Sequence, residues 1–460
     1  MHLSTLIARN IAGLRTQQFS AAARAKAELA ILDTVGVMLA GSDHAGVSAL
    51  KRVVLGNGSD GQSTVVGDPR RAGLLDAAQI NGMAAHMLDF DDSNSQLFGH
   101  PSVAVLPALL ALAEREGASG RQVVEAYLGG FEAAARIGTG ISRYQYTLGW
   151  HPTSSVGIFG AVAACALLLD LDEARIAQAL GIAASMSAGV KSNFGSMTKP
   201  LHVGQAARNG LQAVLLAAEG FTAASDAFEH PQGYLRVYNG GSENYDIDRL
   251  LAGWNDPPCV LDLGIKQKRF PVCYACLAPI DGILALRDAH GLRAEDIESI
   301  RVEVHPIRFP HINVPDPASP LEAKFSVHFC VAQAFLRGTL RISDFEDDSY
   351  RDPLVRSLMA RISFGSYGEQ DNLGGAEVSV RTRDGSLYQT HVVKALGAGY
   401  DHPLTPAMVR AKFEECASRI LPAAQVHELY ELLGTLSSLP DIRRLTAGLA
   451  ENSLSHGENR

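Results

Sequence analysis

Between residue 21 and about residue 238, apolar side chains recur at helical spacing in Ala- and Leu-rich segments separated by Gly-containing turns. The spacing predicts helices in "AAQINGMAAHMLDF", "GRQVVEAYLGGFEAAARIG" and "DEARIAQALGIAASMSAG". Several segments are apolar nearly all round, as helices buried within a large bundle are. The stretch "MHLSTLIARNIAGLRTQQFSAAARAKAE" has no acidic residue before Glu28 and so resembles a mitochondrial leader in composition. Its helical pattern runs into "ELAILDTVGVMLAG" without a break, which favours a first structural helix. The longest uncharged apolar run, Val156 to Leu169, is shorter than the roughly 18 residues that span a bilayer and reads as a buried core helix. No fixed-period repeat is evident.

The pattern changes near residue 265. "IESIRVEVHPI" alternates like a strand, while "LEAKFSVHFCVAQAFLRG" and "RDPLVRSLMARI" have helical spacing. "AEVSVRTRDGSLYQTHVVKA" is two alternating runs across Asp384-Gly385, a strong hairpin signal. After "LGAGYDHPLTP" the chain returns to helix in "AMVRAKFEECASRI" and ends polar. The expectation is a mainly α protein. A large all-helical domain takes residues 1–265 together with 400–460, and a smaller α+β domain takes 266–399.

Length and charge narrow the function. At 460 residues the chain exceeds one ordinary core, so two domains are expected. A net charge of −9 without long basic runs argues against nucleic acid and anionic membranes, and favours a cytoplasmic, small-molecule role. The six cysteines are scattered through a large chain, which suggests reduced thiols. Cys273-x-x-Cys276 lacks a second pair to complete a tetrahedral zinc site.

Three apolar helices are headed by a titratable residue and a proline: His100-Pro101, His151-Pro152 and Lys199-Pro200. Proline suits the first helical position, where its missing N–H is an orphan anyway. A helix start carries about half a positive charge, which disfavours a second cation and attracts carboxylates. A base kept neutral beside an anion-binding pocket is what abstraction of a proton next to a carboxylate requires. One such residue alone is ordinary helix punctuation; three raise the case for chemistry.

Other candidates surround them. "HMLDFDDSN" sets Asp89, Asp91, Asp92 and Ser93 shortly before His100, and Asn94, Ser95 and Gln96 follow in place of the further carboxylate a magnesium site would want. A hydrogen-bonding or general-acid role for one carboxylate is therefore favoured over a metal. Lys266, Lys268 and Arg269 in "KQKRFP" are either carboxylate clamps or a solvated linker. The polar loop "SNFGSMTK" could bring backbone N–H groups to an anion. No dinucleotide fingerprint, Walker lysine or nucleophile elbow is present.

These segments resemble the MmgE/PrpD family, which includes 2-methylcitrate dehydratase, cis-aconitate decarboxylase and iminodisuccinate epimerase. The resemblance runs through "HMLDFDDSN" with "GHPS", "GWHPTSSVGIFGA", "GSMTKPLHVGQAARNG", "KRFPVCYACLAPIDG" and "EAKFS", and so covers nearly the whole chain. It implies a large helical domain with a smaller α+β domain, a homodimer, and an active site that needs no metal or other cofactor. It places active-site roles on Asp89, Ser93, His100, His151, Lys199 and Lys268. Two departures bear on the reaction. Cys273 stands where decarboxylase-like members have a histidine and Leu277 where some relatives have another, and Phe329 replaces the family's tyrosine, with His328 beside it. These departures weaken a decarboxylase reading, and the motifs look most like the epimerase branch. The expected activity is removal of the proton α to a carboxylate of a small di- or tricarboxylic acid, leading to dehydration or epimerisation. Lys199 or His151 is the expected base, with His100 or the other as acid. Asp89 orients a histidine, Ser93 binds substrate, and Lys268 and Arg269 neutralise carboxylates. Cys273 is either a partner acid or base, or an inert thiol. Decarboxylation and a catalytically silent binding protein are the alternatives.

Overall fold

A computed structural model describes residues 1–58, 61–346, 349–368, 373–399 and 401–450. The polar end expected at 451–460 lies outside the described residues. Contacts divide the chain into one unit formed by Met1–Lys266 with the segment from Pro406 onward, and a second formed by Gln267–Thr405.

Among the described residues the first unit is built on ten α-helices before residue 220: α1 (Leu3–Gly13), α2 (Ala21–Gly41), α3 (Ala45–Gly56), α4 (Leu74–His86), α5 (Pro101–Glu116), α6 (Gly120–Leu148), α7 (Pro152–Ser155), α8 (Gly157–Leu168), α9 (Glu173–Met186) and α10 (Thr198–Ala218). A short antiparallel ribbon, β1 (Ser63–Thr64) with β2 (Arg71–Ala72), lies between α3 and α4. The all-round apolar pattern has its counterpart in α8, where every residue from Gly157 to Ala166 is buried. No helix among the described residues is long and apolar enough to cross a membrane.

Two expected helices divide. The N-terminal pattern breaks between α1 and α2, because the Ser20 hydroxyl accepts the Ala23 N–H and starts a new helix. The helix expected from Pro152 bends after one turn at Val156 (φ −116°) before α8 begins.

One helix pair positions the chemistry. α4 and α10 cross where glycine faces glycine: a Cβ on Gly82 would lie 2.9 Å from the Gly204 Cα, and one on Gly204 would lie 2.3 Å from the Gln79 carbonyl oxygen. With side chains there the backbones could not approach so closely. The crossing falls one turn before the end of α4 and shortly after the start of α10, so it brings the end carrying His86 to the end carrying Lys199. The helix Pro406–Ala417 packs on α2, where Lys412 Nζ meets Asp33 Oδ1 at 2.7 Å in a buried ion pair.

In the second unit a four-stranded sheet has the order β4-β3-β5-β6, from β3 (Ile297–Val304), β4 (Ile362–Ser366), β5 (Ala376–Thr382) and β6 (Leu387–Val392). β3 and β4 run parallel and are joined through intervening helices; the other pairs are antiparallel. The expected hairpin is β5–β6, in register from Arg381↔Leu387, with Gly385 at φ +89° in its turn. Helix Tyr274–His290 covers the sheet closely at Gly282, where a Cβ would lie 2.7 Å from Val378 Cγ2. The single helix expected in "LEAKFSVHFCVAQAFLRG" is interrupted at Lys324–Ser326: the Ser326 hydroxyl accepts the Phe329 N–H and caps Val327–Arg337.

Candidate active site

The site of the first unit is assembled by the loop between α4 and α5. After His86 the chain turns through Asp89 in a left-handed conformation (φ +52°), one of four such non-glycine residues among those described. Lys412 Nζ donates to the Phe90 carbonyl at 2.9 Å and lies 4.1 Å from the Phe90 ring centroid. Further along, the Asn94 carboxamide oxygen accepts the N–H groups of Gln96 and Leu97. Ser93 and Lys266 exchange backbone hydrogen bonds at 2.9 Å. The loop is thus pinned at several points, consistent with strain retained where function needs it.

The loop ends at His100, the N-cap of α5; His151 is the N-cap of α7. Neither imidazole caps its helix, so both rings are available for other work. The two starts are tied together, because the His100 N–H donates to Thr153 Oγ1 at 3.1 Å. Gly99 permits this approach, since a Cβ there would lie 2.7 Å from the same hydroxyl. Lys199 differs from the expected arrangement: it lies inside the first turn of α10, with Met197 as the N-cap.

These residues converge. Lys199 Nζ donates to Asp89 Oδ1 at 2.8 Å, with both side chains about nine-tenths buried. The ring of His86 lies 4.7 Å from that of His100 and 5.7 Å from that of His151. Asp91 Oδ2 is 2.9 Å from His86 Nδ1 and 3.0 Å from His100 Nδ1. His151 Nδ1 lies 3.4 Å from His202 Nδ1. Phe194, from the polar loop, meets the His151 ring edge-on at 4.9 Å and lies 5.1 Å from the Lys199 ammonium. The carboxylate that meets the histidines is therefore Asp91, whereas Asp89, expected to orient a histidine, meets the lysine.

Burial and charge fix the protonation states. Burial pushes the His86 imidazolium down to about 4, against the opposing pull of Asp91. His151 is held well below the usual histidine value, first by burial and then by His86, Lys199, His100 and His202. His202 is lowered by burial and by Lys199. Asp91 is held well below the usual carboxylate range: burial opposes ionisation, but the charges and hydrogen bonds of His86 and His100 outweigh it. His86, His151 and His202 are therefore neutral near pH 7 beside the ionised Asp91, with Lys199 paired to Asp89.

His86, Asp89, Asp91 and His100 bring one donor atom each within 4.8 Å of one another, a spacing a cation could use. The donor chemistry does not call for one. Two ring nitrogens already face a single Asp91 oxygen, and the Lys199 ammonium already meets Asp89. A cation would have to displace these protons and compete with that ammonium.

Sequence reasoning missed His86, His202 and the shared role of Asp91. His86 sits in the apolar pattern "AAHMLDF" and looks like a core position; its signal was a histidine five residues before an Asp-Asp pair. The remaining candidates belong to the second unit. Lys268 is buried. Arg269 pairs with Asp281 at 3.1 Å and lies over the Phe270 ring. Cys273 is the half-buried N-cap of helix Tyr274–His290, and its N–H donates to the Lys324 carbonyl at 3.0 Å. Leu277 and Phe329 are both buried in the apolar core of that unit. All six cysteines are unbridged.

Comparison with known proteins covers both units. The MmgE/PrpD N-terminal domain matches residues 5–245, and the MmgE/PrpD C-terminal domain matches residues 270–435. Cis-aconitate decarboxylase of Homo sapiens is 29% identical over 433 residues, covering 90% of this chain and 88% of its own. The Mus musculus protein of that name is 28% identical over 453 residues, with 95% and 91% covered. That of Aspergillus terreus is 28% identical over 418 residues, with 84% and 83% covered.

Proposed function

The chain belongs to the MmgE/PrpD family, and from that premise we propose that it is an enzyme moving a proton on the carbon α to a carboxylate of a small di- or tricarboxylic acid, without a metal. The observation that carries this reading is the buried Lys199–Asp89 pair beside the neutral imidazoles of His86 and His151 and the ring of His100.

A proton beside a carboxylate is weakly acidic, so its removal builds carbanion character that must be stabilised by positive charge already in place. The Lys199 ammonium supplies such charge, and it becomes a base once its proton passes to a neighbour. His151, kept neutral by burial, has a lone pair to accept a proton at pH 7. His100 is assigned the opposite transfer, returning a proton to carbon or to a departing hydroxyl. Ser93 is assigned a hydrogen bond to substrate; the roles expected of Lys268 and Arg269 toward carboxylates and of Cys273 in proton transfer rest on the family resemblance alone. Departure of a hydroxyl makes the enzyme a dehydratase, and return of the proton to the other face makes it an epimerase. Decarboxylation is the second reading, favoured by the name that the mammalian and fungal relatives carry.

Proton NMR of the EDTA-treated protein in D₂O with 2-methylcitrate, citrate, cis-aconitate and iminodisuccinate tests the reading. Deuterium is expected at the α carbon of substrate or product, with Lys199→Ala slowing its entry by about 10²- to 10⁴-fold. The product separates dehydration, epimerisation and decarboxylation. Exchange by Lys199→Ala at the wild-type rate would sink the assignment.

A further inference from the structure

We propose that His86 and Asp91 are a positioning pair for His100: the shared carboxylate fixes both imidazoles with the proton on Nδ1, so that the nitrogen of His100 that exchanges protons is Nε2. The inference rests on the acid–base role proposed above for His100, and it concerns two residues that do not themselves react.

The argument begins with an acceptor that cannot donate. His100 Nδ1 lies 2.7 Å from the Asp92 carbonyl oxygen, which offers only lone pairs, so that nitrogen carries the proton. The same N–H is 3.0 Å from Asp91 Oδ2, so it is shared between two acceptors. His86 is fixed by elimination. Were its proton on Nε2, a buried N–H would have no acceptor, because that atom has no hydrogen-bond partner among the described residues. Nδ1 would then face the Asp91 carboxylate lone pair to lone pair at 2.9 Å. Either fault leaves a buried polar atom unsatisfied, so the proton sits on Nδ1 and is donated to Asp91.

The second imidazole matters because Asp91 is fully buried and its Oδ1 has no partner among the described residues. The half-shared N–H of His100 is too little to hold a dry carboxylate in place, and His86 supplies an undivided donor from the end of a helix. Asp91 is thereby anchored to α4 as well as to the turn that carries it. The groups facing His86 are Asp89, Asp91, Lys199, His100 and His151, and burial keeps it neutral among them, so it remains a constant donor across neutral pH.

The test is nitrogen-15 NMR of the whole protein labelled at histidine, with the His100 signals assigned by their loss in His100→Gln. Wild type is expected to show Nδ1 protonated and Nε2 bare at His100. His86→Leu is expected to mix the tautomers and lower kcat about 10- to 100-fold, as loss of a group orienting a functional histidine does, with KM within about threefold. His86→Asn, whose amide N–H stands near the place of Nδ1–H, should recover most of the rate and the wild-type tautomer. A wild-type His100 protonated on Nε2 overturns the proposal, and that observation needs no variant to fold. So does His86→Leu with unchanged tautomer and kcat. These outcomes are separate from the Lys199→Ala experiment, which tests the reaction and not the tautomer.

Discussion

Asp91 and Asp92 are adjacent and both fully buried, yet their acidities are pushed in opposite directions. Asp91 faces two ring nitrogens and is held ionised far below the usual carboxylate range. Asp92 faces hydroxyls. Its Oδ2 meets the Ser102 hydroxyl, which in turn lies 2.5 Å from Tyr127 Oη. Burial, with the nearby charges of Asp91 and Asp33, pushes Asp92 up to about 7. The same setting lifts the Tyr127 phenol well above its usual value, again mainly by burial. One peptide bond thus separates a face lined by imidazoles and an ammonium from a network of hydroxyls around a carboxyl that keeps its proton up to about pH 7. The lesson is that burial does not set the charge of a carboxylate; the donors waiting at the burial site do.

The comparison breaks most severely at Asp91. Asp91→Asn replaces the anion by a neutral amide: its oxygen can still accept, but the charge that holds both imidazole N–H groups on one oxygen is gone, and an NH₂ turned toward the rings would repel them. The expected loss in kcat is about 10²- to 10⁴-fold, the range for disabling an acid–base group, with the fold retained by circular dichroism. A loss below about threefold, measured by steady-state kinetics on the substrate identified in D₂O, would show that Asp91 is merely a packing residue.

Lys412 tests the other side of the divide. It pairs with Asp33, whose charge acts on Asp92, and donates to the carbonyl of Phe90, between Asp89 and Asp91. Lys412→Met leaves the Asp33 carboxylate buried without this cation, at an expected cost of about 3–5 kcal/mol in urea unfolding. Paired removal in Lys412→Met with Asp33→Leu should return much of that loss, because the uncompensated charge goes with it. A single variant as stable as wild type would mean that Asp33 is already neutral in the fold.

How much of this was legible follows from the range of each signal. Helices such as α6 and α9, and the hairpin across Asp384-Gly385, are local: side-chain period and one turn dipeptide suffice. His100, His151 and Lys199 announced themselves through the prolines that follow them. The union of Lys199 with Asp89 spans 110 residues and depends on Gly82 meeting Gly204, which no period records. His86 was invisible for another reason. It reaches Asp91 through a left-handed Asp89, a conformation that residue type alone rarely signals outside glycine. The breaks after α1 and α7 escaped notice because apolar spacing persists across them, while the capping and backbone events that end those helices involve single residues.

The smallest effect on activity, and the sharpest statement of the comparison, is expected from Asp92→Asn. An amide is close in shape to a protonated carboxyl and its oxygen can still accept the Ser102 hydroxyl proton, so kcat should stay within about threefold of wild type, in contrast to Asp91→Asn. Stability carries the signal instead. The unfolded Asp92 carboxyl loses its proton near 3.8 and the folded one near 7, so between about pH 4 and 7 the folded chain holds the extra proton. Stability from this group is present below about pH 4 and is lost as pH rises through 7. His86 has the opposite sign: its folded value is about 4 against 6.5, so the unfolded chain holds the extra proton and stability grows with pH across that window. In wild type the two slopes largely oppose each other from pH 4 to 6.5. Asp92→Asn removes the falling slope and leaves the rising one exposed. Urea unfolding at pH 5 and pH 8 should therefore show the variant gaining on wild type by about 1–4 kcal/mol between the two, at about 1.4 kcal/mol per pKa unit. Parallel pH dependences for the two proteins would place an ionised Asp92 in the fold and erase the distinction between the neighbouring carboxylates.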